Sequence, residues 1–287
     1  MSKNPQHEES SMPPRTGTNP RIGAAAGVPY VALPPAGGAA SAPLVVVWHM
    51  MDAPRSAEAM AAALPLAGLD AWRVFLDLPL HGARTPDDIE TVMGDAVTDP
   101  LLKLYRPLIR DAAREFPAVL AALRERLDAS DGPVGLVGGS AGGAVALTVL
   151  AEAEVPVAAA VLVNPVITAR GLIAVGERAY GGRYEWTPAA EEAADQIDYV
   201  ARAPEIAGLA VASRLLLISG EHDHAEFRDD AVRLRDALGA ALVEVPGMAH
   251  PLAEEPGVSA APQTPHARTV DAAAADWLGR HLTDGRP

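Results

Sequence analysis

Cysteine is absent from all 287 residues, which excludes disulfides, a cysteine nucleophile and thiolate metal ligation together. The compartment is not assigned by that absence. Basic charge is also scarce: the net charge is -14, which argues against nucleic acid or an anionic membrane as partners. No apolar stretch reaches the roughly 20 uninterrupted residues of a membrane helix. The first twenty residues, MSKNPQHEESSMPPRTGTNP, are polar and proline-rich and have no apolar core of signal-peptide length. The expectation is a disordered tail over residues 1–22 in a cytoplasmic protein.

What is present is a chain that is 49% hydrophobic, ample for one large core, so residues 23–287 are read as a single domain. Val28 to Leu33 fits a short edge strand, followed by a Pro/Gly-rich turn to Pro43. The β-branched run Leu44 to Trp48 fits a strand buried on both faces of a parallel sheet. Ser56 caps an alanine-rich helix to Ala67, and Trp72 to Asp77 is the next strand, running into the loop Leu78-Pro-Leu-His-Gly82. Residues 83–104 read as irregular. From Tyr105 to Leu127 apolar residues recur at helical spacing, with Pro117 expected to kink or divide the helix. Strands at Val134 to Val137, Val157 to Val163, Leu215 to Ser219 and Ala241 to Val245 alternate with helices at Ala141 to Ala153, Ala225 to Leu238 and Val270 to Leu282. Such alternation means a doubly wound, mostly parallel sheet.

One segment breaks the rhythm. Residues 165–212 form a long connection with helical pieces around Ala189 to Val200, and a connection of that length in a compact domain is usually functional, often a lid. It carries Tyr180, Tyr184 and Trp186, candidate walls of a pocket.

The sharpest local signal is Val134-Gly-Leu-Val-Gly-Gly-Ser-Ala-Gly-Gly143. A strand turning into a helix with Ser140 at the apex, glycines at 138 and 142, fits the GxSxG nucleophile elbow. Glycine-rich turns of this kind also cradle phosphates, so the context decides. A serine nucleophile needs a base and a group to orient that base. In open parallel sheets such groups gather at the carboxyl ends of strands. Two clusters stand there: Gly220-Glu-His-Asp-His224 and Pro246-Gly-Met-Ala-His250. Ser140, Asp223 and His250 then follow in the order nucleophile, acid, base. Glu221 is the competing acid. His222 and His224 invite a metal, but no third ligand at suitable spacing accompanies them, so no metal and no cofactor are expected. His81 is placed near the pocket as a hydrogen-bonding side chain.

The motifs VVVWHMM (45–51), DLPLHGAR (77–84), GLVGGSAGG (135–143), LLISGEHD (216–223) and GMAHP (247–251) together make the chain resemble the α/β-hydrolases, in particular dienelactone-hydrolase and prolyl-oligopeptidase-like esterases. The resemblance spans about residues 28–283 and implies an α/β-hydrolase fold with a small cap insertion. It implies Ser140 as nucleophile, His250 as general base then acid, and Asp223 as the carboxylate that orients His250. It also implies an oxyanion hole formed by the backbone amides of Ala141 and Met51. Where relatives usually carry His-Gly, this chain has His49-Met50, which puts Met50 at the acyl pocket or in a core gap.

The resulting expectation is a serine hydrolase that cleaves small-molecule esters of small or medium acyl groups through an acyl-enzyme. A peptidase, thioesterase, acyltransferase or lactone-forming enzyme on the same triad, or a non-catalytic binding protein on the same fold, remain as alternatives. The oligomeric state is left open.

Overall fold

A computed structural model describes residues 19–38 and 41–282. Most of the expected N-terminal tail, residues 1–18, lies outside the described residues. Its end does not behave as a tail: Arg21–Ala25 is strand β1, paired antiparallel with β2 (Val28–Leu33). The edge of the sheet is therefore β1 and not β2, because β2 also pairs antiparallel with β4 (Trp72–Leu76).

The remaining strands are parallel: β3 (Leu44–Trp48), β4, β5 (Val134–Gly139), β6 (Val157–Val163), β7 (Leu215–Gly220) and β8 (Ala241–Val245). The order across the sheet is β1-β2-β4-β3-β5-β6-β7-β8. The chain thus has the α/β-hydrolase fold. Strands β3 to β7 are buried on both faces, as their unbroken apolar runs require of a parallel sheet covered by helices. Their registers align the carboxyl ends along one edge: Trp48 sits beside Gly138, Gly139 beside Val163, Val163 beside Ile218, and Gly220 beside Val245. The loops that follow β3, β5, β7 and β8 are thereby gathered at one place.

Two apolar layers cover the sheet. On one face Val46, Trp48 and Leu136 pack with α3 (Arg106–Leu127) and α4 (Ala141–Glu152). On the other, Val45, Val47 and Val137 pack with α1 (Ala57–Ala63) and α9 (Pro265–Leu282). Every residue of the helical stripe expected on α3, from Leu108 to Leu127, is in the first layer. Pro117 does not divide that helix. It lies on the exposed face, where the carbonyl that loses its amide partner can turn to solvent. Ser56 caps α1 by accepting a hydrogen bond from the amide of Ala59, at 3.0 Å.

The stretch 83–104 is not irregular throughout: α2 (Ile89–Thr98) and a π-helical turn (Leu101–Tyr105) precede α3. Acidic side chains there lie on exposed helix and hid its periodicity. Between β6 and β7 the cap comprises α5 (Ala169–Tyr180), α6 (Pro188–Gln196) and α7 (Ala203–Ala207), of which only α6 falls in the stretch expected to be helical. Arg170 pairs with Glu191 and with Asp195 to tie α5 to α6. Arg178 pairs with Glu226 to tie α5 to α8 (Ala225–Leu238), and the Tyr199 and Thr148 hydroxyls are hydrogen-bonded at 2.5 Å in the core. Among the described residues no helix is long and apolar enough to cross a membrane.

Candidate active site

Ser140 stands at the tip of β5 as the residue before α4, with φ 49° and ψ -117°. That left-handed backbone throws the hydroxyl outward, and the turn closes only because its neighbours lack side chains. A Cβ on Gly138 would lie 2.2 Å from the carbonyl oxygen of Gly142, and one on Gly142 would lie 2.6 Å from the carbonyl oxygens of both Trp48 and His49. The elbow is packed directly against the end of β3.

Asp223 follows β7, His250 follows β8, and both are buried. His250 Nδ1 is 2.7 Å from Asp223 Oδ1, and His250 Nε2 is 2.9 Å from Ser140 Oγ. An ionised carboxylate can only accept, so Nδ1 carries the hydrogen and Nε2 presents its lone pair to the serine hydroxyl. Asp223 Oδ1 also accepts from the amide of His224, at 2.7 Å. Phe227 lies against the His250 ring with centroids 5.2 Å apart. Glu221 is engaged elsewhere: its Oε2 accepts from the amide of Gly247 at 2.7 Å and braces the loop that carries His250.

Asn164 received no role from the sequence, yet it holds the two loops together. Its Nδ2 donates to the carbonyls of Ala249 and His250 at 3.0 and 2.9 Å, and its Oδ1 accepts from the amide of Gly220 at 2.7 Å. Asp52 is a second omission: its Oδ2 is 3.6 Å from His250 Nε2. An asparagine before a proline and an aspartate in a loop carry no periodic signal, so neither role was readable locally.

The other expected residues separate into two groups. The amides of Ala141, in the first turn of α4, and of Met51, in the loop after β3, donate to no protein acceptor among the described residues. Tyr180 ends α5, is 91% exposed, and is close enough to Tyr105 to help raise its pKa, after burial and alongside Asp52. These residues are free to meet a ligand.

Met50, expected at the acyl pocket or in a core gap, takes the core gap, so its place among the substrate-binding residues is corrected. It is 0% exposed, and its side chain fills the space beside Gly139, whose added Cβ would come within 2.7 Å of Met50 Cγ. Burial among Met60, Val47 and Val137 on the far face of the sheet keeps it from any solvent-filled pocket. Tyr184 and Trp186 are likewise used in packing: their rings meet edge to face at 4.9 Å against the first apolar layer, and the Tyr184 hydroxyl donates to Asp99 Oδ1 at 2.5 Å. Burial and that carboxylate push the Tyr184 phenol well up.

His81 sits 5.5 Å, ring to ring, from His49, and its Nδ1 donates to the carbonyl of Pro79 at 2.9 Å. Burial lowers its pKa. His49 is fully buried and its tautomer is determined, because the amide of Leu78 must donate to Nε2 at 3.0 Å, leaving Nδ1 to donate to the Met50 carbonyl at 2.6 Å. Burial first, then the neighbouring His81, takes the His49 pKa down to about 3. The 4.0 Å approach of Asp77 to His49 is therefore no ion pair at neutral pH.

A cavity of about 530 Å³, lined by Pro43, Pro133, Leu150, Val157, Leu209 and Arg214, opens at the opposite, amino-terminal edge of the sheet, and no triad residue lines it.

A model of the prolyl oligopeptidase family matches residues 104–282. Solved structures share the fold at low identity. One is TT1662 from Thermus thermophilus, at 19% identity and TM-score 0.63, covering 92% of this chain and 98% of that one. A puromycin-hydrolyzing peptidase from Mycobacterium tuberculosis gives 16% and 0.65, covering 96% of this chain but only 41% of its own. Carboxyl esterase 2 from Tuber melanosporum gives 16% and 0.56, covering 96% and 90%. No curated protein matches in sequence. With Ser140, Asp223 and His250 assembled on the carboxyl edge of such a sheet, and the family model matching well over half of its length, the chain belongs to the prolyl oligopeptidase family of α/β-hydrolases.

Proposed function

We propose that the protein is a serine hydrolase that cleaves carboxylic esters of small or medium acyl groups. The observation that carries this reading is the hydrogen-bonded line from Asp223 through His250 to Ser140, with distances of 2.7 and 2.9 Å. In that arrangement Ser140 Oγ attacks the ester carbonyl as its proton passes to His250 Nε2. Asp223 holds the imidazolium through Nδ1, and the amides of Ala141 and Met51 receive the oxyanion. The tetrahedral intermediate collapses with the Nε2 proton going to the leaving alkoxide, and water, deprotonated by the same nitrogen, releases the acid.

Ester rather than peptide cleavage is favoured by the neighbours that match over nearly their whole length. These include the Tuber melanosporum carboxyl esterase, whereas the Mycobacterium tuberculosis peptidase is more than twice as long. The family itself favours the second reading, a peptidase.

Two measurements test the proposal. A fluorophosphonate probe is expected to label the folded protein and not Ser140→Ala; no labelling would leave a non-catalytic protein on a hydrolase fold. Across p-nitrophenyl esters of increasing acyl length, run beside peptide p-nitroanilides, kcat/KM is expected to be highest for a short or medium ester. Preference for a peptide would replace the esterase reading with the peptidase one.

A further inference from the structure

Asp52 has no part in the chemistry above, yet it stands beside it. Its carboxylate is 53% exposed, and its Oδ2 lies 3.6 Å from His250 Nε2, too far for a hydrogen bond but facing the nitrogen that passes the proton. The loop that carries it is fixed by main-chain bonds. The amide of Met50 donates to the carbonyl of Pro54 at 3.1 Å, and the amide of Leu252, two residues after His250, donates to the carbonyl of Ala53 at 2.9 Å. The position of Asp52 beside the triad is thus set in advance of any ligand.

Its charge is not cancelled. Among the described residues no lysine or arginine pairs with Asp52; Arg178 and Arg55, whose fields reach His224 and His81, are taken by Glu226 and Glu255. His224 and Tyr105, two groups on which Asp52 acts, are both neutral at pH 7, because burial lowers the pKa of the first and raises that of the second. An uncompensated carboxylate therefore faces the reacting groups in a chain whose net charge is -14, and both draw cations to the mouth.

The proton path decides which part of a substrate this carboxylate meets. Nε2 gives its proton to the oxygen of the departing alcohol, so that oxygen comes within about 2.8 Å of Nε2. An ammonium hydrogen-bonded to Asp52 approaches its oxygen to about 2.8 Å. Two carbons between the alcohol oxygen and the nitrogen hold them roughly 3–4 Å apart at ordinary bond lengths. That span matches the 3.6 Å between Nε2 and Oδ2.

The geometry points to Asp52 as a specificity residue for the alcohol side of the ester, where it binds an ammonium two carbons from the ester oxygen. The substrate class is the carboxylic ester of a protonated amino alcohol. Turnover of such an ester rests on the serine-hydrolase reading; its binding does not. A carboxylate that merely steadied protonated His250 would help every ester alike, and this separates the two roles.

The test compares 2-(dimethylamino)ethyl butyrate with its neutral isostere, 3-methylbutyl butyrate. The kcat/KM of the full-length protein is expected to favour the cationic ester by about fivefold, through KM, and the preference should shrink at high salt and vanish in Asp52→Asn. A preference that survives in Asp52→Asn, or a loss of the same factor for both esters, overturns the assignment. Binding is measured apart from turnover, by calorimetry on Ser140→Ala with the corresponding amides, N-[2-(dimethylamino)ethyl]butyramide and N-(3-methylbutyl)butyramide. The cationic amide is expected to bind about fivefold more tightly and to lose that margin when Asp52→Asn is added. That margin in a protein that cleaves neither ester leaves the subsite standing and overturns the hydrolase reading. Cleavage of both esters alike, with no margin in binding, overturns the subsite and leaves the hydrolase reading standing.

Discussion

Asn164 donates from Nδ2 to the main-chain carbonyl of His250 at 2.9 Å, while its Oδ1 accepts from the amide of Gly220 at 2.7 Å. One fully buried side chain therefore fixes the end of β7, which leads to Asp223, against the loop that carries His250. Asn164→Ala removes these bonds and leaves the buried carbonyl of His250 and the buried amide of Gly220 unpaired. A shift of the order of 1 Å between catalytic groups is worth about 10²-fold in rate. The expectation is a fall of that order in kcat with little change in KM, and fluorophosphonate labelling slowed in parallel. A KM effect alone would show that Asn164 does not position the triad.

Stability should fall on mild acidification. His49 is held neutral, with its folded pKa near 3 against 6.5 unfolded, so between those values the unfolded chain binds the extra proton and stability rises with pH. The contribution is complete above about pH 6.5 and is lost progressively as pH drops toward 3. Burial lowers the pKa of His81 and His224 in the same direction. Urea unfolding at pH 7.5 and pH 5 measures this: His49→Gln should reduce the difference between the two by about 2 kcal/mol, at roughly 1.4 kcal/mol per pH unit for one group.

Glycine substitutions should divide by what surrounds them. Gly142→Ala forces a methyl to within 2.6 Å of two main-chain oxygens, whereas Gly176, inside α5, has nothing within 4 Å of its added Cβ. Gly142→Ala is expected to lose several kcal/mol or fail to fold. Gly176→Ala should gain up to about 1 kcal/mol from helix propensity. Thermal unfolding of the pair checks both signs, and equal Tm values would contradict the close packing of elbow and β3.

Met50→Ala should act on stability and not on specificity. Removing a fully buried methionine is expected to cost about 2–5 kcal/mol, with the acyl-length profile of ester cleavage unchanged. A shifted chain-length optimum would return Met50 to the substrate pocket.

Much was legible before folding. Continuous apolar runs located β3 to β8, apolar spacing of 3.6 located most of the helices, and the spacing of Gly138, Ser140 and Gly142 named the elbow, since such patterns are set by neighbours along the chain. The order of Ser140, Asp223 and His250 was equally plain. Tertiary structure decided what depends on distant partners. Met50 turned to the core because the bare Gly139 of another strand left room for it. Tyr184 and Trp186 became packing because Asp99 and the first apolar layer lay within reach. Asn164 and Asp52 acquired their places only when loops 56, 86 and more positions away were brought to one edge of the sheet. A side chain's propensity is local, but its partner is chosen by the sheet register, and it is that register which turned three well-spaced residues into a hydrogen-bonded line.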